Sequence, residues 1–412
     1  MRKFSLTKKL LLWLAILGPG IIVMLADTDA GSLITAAQTG AMWGYKMILL
    51  QIILIPALYV IQELTIRLGI VTGQGHGALI KEKFGHFWAW LSVSTLLICC
   101  FGALFTELAG LSGVGSLFHI PAWITMVVTI TFLIVLAITG SYRSVERCAL
   151  FIGLFELVFV AVAIIAHPSI GEIKTGLMTM PLHNANYLYL AAANIGAVIM
   201  PWMIFYQQSA VIDKGLTKKS MHIARWDTFI GAIVTQVIAT AVIIMTAATI
   251  GKTNPGAPLD TVHQISDAIT PFLGTMPGRI LFALGMSGAS IVAAIVVSLT
   301  AAWSIGEVTG YKCSLGHRAC EAPYFYGMYS LMLILSGILV ISGVNLVKMS
   351  VAIEVLNALL LPIVLGFLYL LAIKVLPEQY RLKGWYAVFV GLIIAATALF
   401  GFVSGLWGIF AG

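Results

Sequence analysis

The sequence predicts an all-α integral membrane protein, and two observations carry that prediction. Of its 412 residues, 60% are hydrophobic and only 9% are charged, whereas soluble domains carry about 25% charged residues. The apolar residues are also contiguous, in eleven runs separated by short polar loops. A helix needs about 20 apolar residues to cross the hydrocarbon core. A soluble core is therefore excluded. The net charge of +7 belongs to membrane loops, so no nucleic-acid partner is expected. The five cysteines, Cys99, Cys100, Cys148, Cys313 and Cys320, form no even disulfide framework. No phosphate-binding loop or catalytic triad is apparent, so neither an enzyme nor a resident cofactor is expected, and no obligate protein partner is implied.

The runs cover approximately residues 10–40, 44–71, 87–111, 121–140, 145–166, 186–212, 227–250, 277–305, 323–343, 346–374 and 385–410. The first lacks a small-residue cleavage site, so it is read as a span and not as a removable signal. Basic residues set the orientation. With the N-terminus in the cytoplasm, Arg2, Lys3, Lys8 and Lys9, then Arg143 and Arg147, and most other basic residues fall on one side. Of the 23 lysines and arginines, only Lys46, Lys174, Lys252, Arg279 and Lys348 fall on the other. The positive-inside rule thus supports eleven spans, a cytoplasmic N-terminus and an extracytoplasmic C-terminus in a cell membrane. Trp88, Trp90, Trp123 and Trp385 sit near span ends, as interfacial aromatics do.

Spans 1 and 6 are interrupted. In span 1, Asp27, Thr28, Asp29, Ala30, Gly31 and Ser32 divide an apolar stretch. A charge at bilayer depth costs roughly 2.5–3.5 kcal/mol and faces a bundle interior or a polar cavity. Gly31 weakens the helix there. In span 6, Pro201 falls inside NIGAVIMPWMIFYQQSA, and proline breaks or kinks a helix. The breaks are five spans apart. An odd number of spans per repeat makes two repeats inverted, and paired broken helices in inverted repeats mark a transporter site near the midplane. The chain is read as one transmembrane domain over residues 1–412, with repeats at 1–170 and 180–376 and an added span at 384–412.

The breaks offer the Asp27 and Asp29 carboxylates, the Thr28 and Ser32 hydroxyls, the Ala26 carbonyl, carbonyls freed around Gly196 and Ala197, and the Met200 thioether. Oxygens alone suit magnesium, calcium or manganese, and a thioether shifts preference toward later transition metals. The bland alternatives are a packing role for Met200 and an aqueous vestibule at the aspartates.

These segments resemble the Nramp family of divalent-metal transporters, which have a LeuT-like fold. Gly18-Pro19-Gly20 is followed after eight residues by Asp29-Ala30-Gly31-Ser32, where the family has D-P-G-N. Gly196-Ala197-Val198-Ile199-Met200-Pro201-Trp202 matches the family's G-A-x-x-M-P-H. Leu68–Gly73 at the end of span 2 and Arg225–Thr228 at the start of span 7 also match. The resemblance implies Asp29 and Met200 as metal ligands, with a carbonyl from Ala197. Ser32 replaces an asparagine ligand, and Trp202 replaces a histidine. Gln207 and Gln208 stand where a second histidine is usual. Span 3 keeps one acid, Glu107, of two. Leu360 replaces a glutamine in span 10, with Asn357 one turn earlier. The lost histidines and acid argue against proton coupling, for which Asp27 and Glu63 could compensate, or else hold water around the ion.

The resemblance implies a secondary transporter importing a divalent metal ion through the bilayer by alternating access. Met200 favours manganese or a similar transition metal. The divergent, magnesium-carrying branch of the family is the alternative, and a sodium-coupled organic-solute transporter on the same fold is a second. Glu107 is read as an ion or proton relay. Glu156 and Glu354 receive no role.

Overall fold

The structure is a computed structural model. It describes residues 18–139, 142–268 and 270–411, with 142–147 as backbone only. Arg2, Lys3, Lys8 and Lys9, the start of the first apolar run, and the side chains of Arg143 and Arg147 lie outside the described residues.

All regular structure among the described residues is helical. Ten helices are long and apolar enough to cross a membrane, and a bent pair supplies an eleventh span. In order they are Pro19–Asp27 with Ala30–Trp43 (span 1), Ile48–Thr72 (2), His86–Leu117 (3), Ala122–Thr139 (4) and Cys148–Ile165 (5). Ala185–Asp213 (6), Met221–Thr253 (7), Thr275–Thr309 (8), Pro323–Ile341 (9), Leu346–Lys374 (10) and Gly384–Ala411 (11) follow. Each falls on an expected run. Span 3 continues to Leu117 and span 8 to Thr309, beyond the apolar stretches that flagged them.

Burial ranks the spans. Spans 1 and 6 are the innermost: residues 22–41 of span 1 are all buried, and so is 89% of the most apolar stretch of span 6, whereas span 4 has 17% and span 11 has 28%. Leu, Ile, Val and Ala from spans 1, 2, 3, 6, 8 and 10 pack into one core. The outward faces of spans 4 and 11 carry exposed Val128, Phe132, Phe389, Leu392 and Trp407, the surface that hydrocarbon covers.

The two expected breaks are present. The halves of span 1 meet at 47°. Thr28 ends the first half and Asp29, with extended backbone, caps the second. In span 6 the helix stops at Val198 and restarts at Pro201, with Met200 as the extended cap residue. Pro201 has no N–H, and its ring excludes the carbonyl four residues earlier, that of Ala197. A third interruption was not foreseen: span 5 passes through a 3₁₀ turn at Leu154–Glu156, which lies against span 8.

Candidate functional site

Local chemistry builds the span 1 break. The Asp29 carboxylate accepts the Ser32 N–H at 2.7 Å through Oδ1, satisfying one of the donors that a helix start leaves over. Its other oxygen, Oδ2, is buried without a partner. The Ser32 hydroxyl lies 2.7 Å from the Asp27 carbonyl and 3.0 Å from the Ala197 carbonyl. It therefore links the end of one broken helix to the end of the other. Ala26 lies in the last turn of the first half of span 1, where carbonyls have no intrahelical partner.

Gly31 has a different role from the expected one. It lies within the second helix of span 1, and a Cβ there would collide with the Glu354 carboxylate and come within 3.2 Å of the Thr106 hydroxyl. Its lack of a side chain admits Glu354 of span 10, rather than weakening the helix.

Acids from four spans surround this break. Glu107 of span 3 accepts the Ala30 N–H at 3.0 Å, and its carboxyl is within hydrogen-bonding reach of that of Asp29. Glu156 sits in the 3₁₀ turn of span 5 and accepts from the Thr28 hydroxyl. Glu354 accepts from the Asn357 side-chain amide at 3.0 Å. Thr235 of span 7 donates to Asp27 at 3.4 Å. Asp27, Glu107, Glu156 and Glu354 all lie within electrostatic reach of Asp29. Asp27 Oδ1, Asp29 Oδ2, Glu156 Oε1, Glu354 Oε1 and Asn357 Oδ1 are each buried without a hydrogen-bond donor. These are acceptors in want of positive charge. Buried carboxylates with no counter-charge are too costly to persist as anions, and a cation or protons must supply it.

The span 6 break is differently arranged. Met200 and Trp202 are both fully buried, and the Trp202 indole N–H donates to the Met200 sulfur at 2.9 Å. Gln207 bonds Thr228 of span 7 at 2.7 Å and accepts from Thr65 of span 2 at 3.2 Å. Gln208 pairs with the His76 ring at 3.0 Å and donates to the Gln74 carbonyl at 2.8 Å. Where the resemblance leads one to expect a histidine, these amides brace the second half of span 6.

The structure thus brings together Ala26, Asp27, Asp29, Ser32, Glu107, Ala197 and Asn357. It corrects the placing of Glu63. That carboxylate is held by Arg67 and Arg225, each at 2.6 Å, and Arg67 also bonds the Tyr380 carbonyl. Two guanidiniums already neutralise Glu63, so it tethers spans 2 and 7 and brings no charge to the break. Glu156 and Glu354 were missed as site residues. Their signal was present, since acids inside apolar spans mark functional sites, but the direction each faces is set by packing. Among the described residues no three His, Cys, Asp or Glu side chains converge closely enough to hold a metal by themselves. Any ion beside Asp29 would draw on the neighbouring carboxylates, carbonyls, hydroxyls and the Asn357 amide, and on water.

Comparison with known proteins agrees with this architecture. The chain is similar to the divalent metal cation transporter MntH of Verminephrobacter eiseniae, 23% identical over 404 residues, which are 93% of this chain and 87% of the relative. It is 28% identical over 289 residues to that of Brucella suis, covering 66% of this chain and 62% of the relative's length. The fold matches a manganese transporter of Eremococcus coleocola with a TM-score of 0.79 and 18% identity, over 99% of this chain and 89% of that one. It also matches MhsT in complex with L-phenylalanine, with a TM-score of 0.66 and 13% identity, over 95% of this chain and 98% of that one. The fold is the LeuT-like one, as the sequence predicted. The family described as Natural resistance-associated macrophage protein-like, Nramp, matches residues 20–405, and the chain belongs to it.

Proposed function

We propose that the protein is a secondary transporter of divalent metal cations and that its ion binds at Asp29, between the broken spans 1 and 6. The observation that carries this reading is the set of unpartnered acceptor oxygens around the break. Asp29 Oδ2 is the central donor. Asp27, Glu354 and Asn357, with the carbonyls of Ala26 and Ala197, are the oxygens available beside it, and Ser32 fixes the spacing of the two breaks. Magnesium and manganese both accept oxygen donors of this kind. The sequence relatives are divalent metal cation transporters, and the structural neighbour from Eremococcus coleocola is a manganese transporter, which favours manganese first. The second reading is magnesium, which keeps several waters and needs only one or two carboxylates. It is favoured by the lack of three converging acidic or nitrogen side chains among the described residues.

The transport cycle in this reading alternates access by rocking one helix bundle, which includes the broken spans 1 and 6 from both repeats, against the rest of the fold. The basic loops favour an N-terminus in the cytoplasm, and in this reading transport runs toward that side. Asp29→Ala should abolish binding of Mn²⁺ and Mg²⁺ by titration calorimetry and abolish uptake into proteoliposomes, while the protein elutes as the parent does on gel filtration. Recording internal pH during the same uptake shows whether protons move with the metal. Binding and uptake unchanged in Asp29→Ala would remove the site from this break.

A further inference from the structure

We propose that Trp202 determines metal specificity by holding the Met200 sulfur, which withdraws the one soft donor from the break and leaves a site of oxygens. This inference rests on the divalent-metal reading above. A thioether is a weak acceptor, and the single indole contact uses one of its two lone pairs and fixes where the sulfur sits. The indole N–H is a donor only, and a buried one needs an acceptor. In this protein it finds it in the Met200 sulfur, 2.9 Å away. Both residues are at 0% exposure, so no water replaces either partner.

The geometry is local and therefore firm. Met200 is the cap residue of the second half of span 6, with φ −88° and ψ 139°. Pro201 follows as the first helical residue, and Trp202 stands next to it on the first turn. In this proposal the sulfur joins an ion at Asp29 only by moving off the indole, which leaves a buried N–H unpaired. That cost falls only on ions that gain from sulfur. Cadmium and similar soft ions gain most from it, and magnesium gains nothing. The oxygens of Asp27, Asp29, Glu354 and Asn357 are untouched by the exchange. A retained methionine therefore does not make this site a soft-metal site.

The test is a double-mutant cycle read by calorimetric binding of Cd²⁺ and Mg²⁺ to purified protein in detergent. Trp202→Phe keeps an aromatic ring and removes the N–H. It should raise Cd²⁺ affinity about tenfold and leave Mg²⁺ affinity within about twofold. Met200→Ala in the parent should change Cd²⁺ affinity little. In the Trp202→Phe background it should erase the gain, a coupling of about 1.4 kcal/mol for a tenfold effect. Equal losses of Cd²⁺ affinity on Met200→Ala in both backgrounds would overturn the proposal. So would a Trp202→Phe variant whose Cd²⁺ and Mg²⁺ affinities shift alike, since that is the mark of packing. If Trp202→Phe does not yield a monodisperse protein, Met200→Leu in the parent decides: unchanged Cd²⁺ binding supports the proposal, and a loss of about tenfold or more overturns it. Failure of the underlying reading looks different, because the parent would then bind neither ion or Asp29→Ala would bind both.

Discussion

Asp227→Asn should loosen the first half of span 1. Asp227 lies near the start of span 7, and its Oδ2 accepts the backbone N–H groups of Gly18 at 3.2 Å and Gly20 at 2.8 Å. It caps the N-terminus of Pro19–Asp27, where the helix dipole favours negative charge. The Gly18-Pro19-Gly20 motif suits this arrangement. Gly18 takes φ 151°, and Pro19 opens the helix at a position where its missing N–H costs nothing. A hydrogen bond to a charged group is worth about 1.5–3 kcal/mol and a neutral one about 0.5–1.5. Replacing the carboxylate by an amide therefore costs about 2–3 kcal/mol over the two bonds. If the half-helix swings as a unit, its released population rises roughly 30- to 140-fold. Met24 is 1% exposed on this half-helix, so a single cysteine at position 24, in a background with the native cysteines replaced, reports the release. Its labelling rate by a polar thiol reagent in detergent should rise by that factor when Asp227→Asn is added. A rate within about twofold of the parent, with the variant folded, would show that the cap does not hold the half-helix.

Two further outcomes follow from the packing. Gly31→Ala places a methyl group against the Glu354 carboxylate, and overpacking of this kind costs about 1–3 kcal/mol. A lower melting midpoint and weaker divalent-metal binding should appear together; a change in neither would mean that Glu354 is free to move aside. His76 lies in the helix between spans 2 and 3, and burial lowers its imidazole from the ordinary 6.5 to about 4. The unfolded chain takes up this proton below pH 6.5 and the folded one does not until about pH 4. His76 thus makes stability fall as pH drops from about 6.5 to about 4, by up to about 3 kcal/mol. Melting midpoints across that range should fall less steeply in His76→Gln, and parallel curves would exclude a neutral buried ring.

Much of the two breaks was legible because local chemistry writes them. The Asp27–Ser32 interruption of an apolar run, Pro201 freeing carbonyls around Ala197, and the spacing from Gly18-Pro19-Gly20 to Asp29 all involve neighbours in sequence. Glu63 shows where such reading ends. An acid in an apolar span signals function, but two arginines, one of them near the start of the span 7 helix, had already claimed it. Glu156 and Glu354 show the reverse case. They carried the same signal as Glu107, and only the 3₁₀ turn in span 5 and the missing side chain of Gly31 bring them to the break.

The sequence by itself determined the membrane class, the eleven spans and the two expected breaks, since hydropathy and proline act within one segment. The tertiary structure alone decided which acids share the site and what the Met200 sulfur touches. Those are contacts between spans, or side-chain directions fixed by packing, and an apolar run carries no record of which face it turns toward its neighbours.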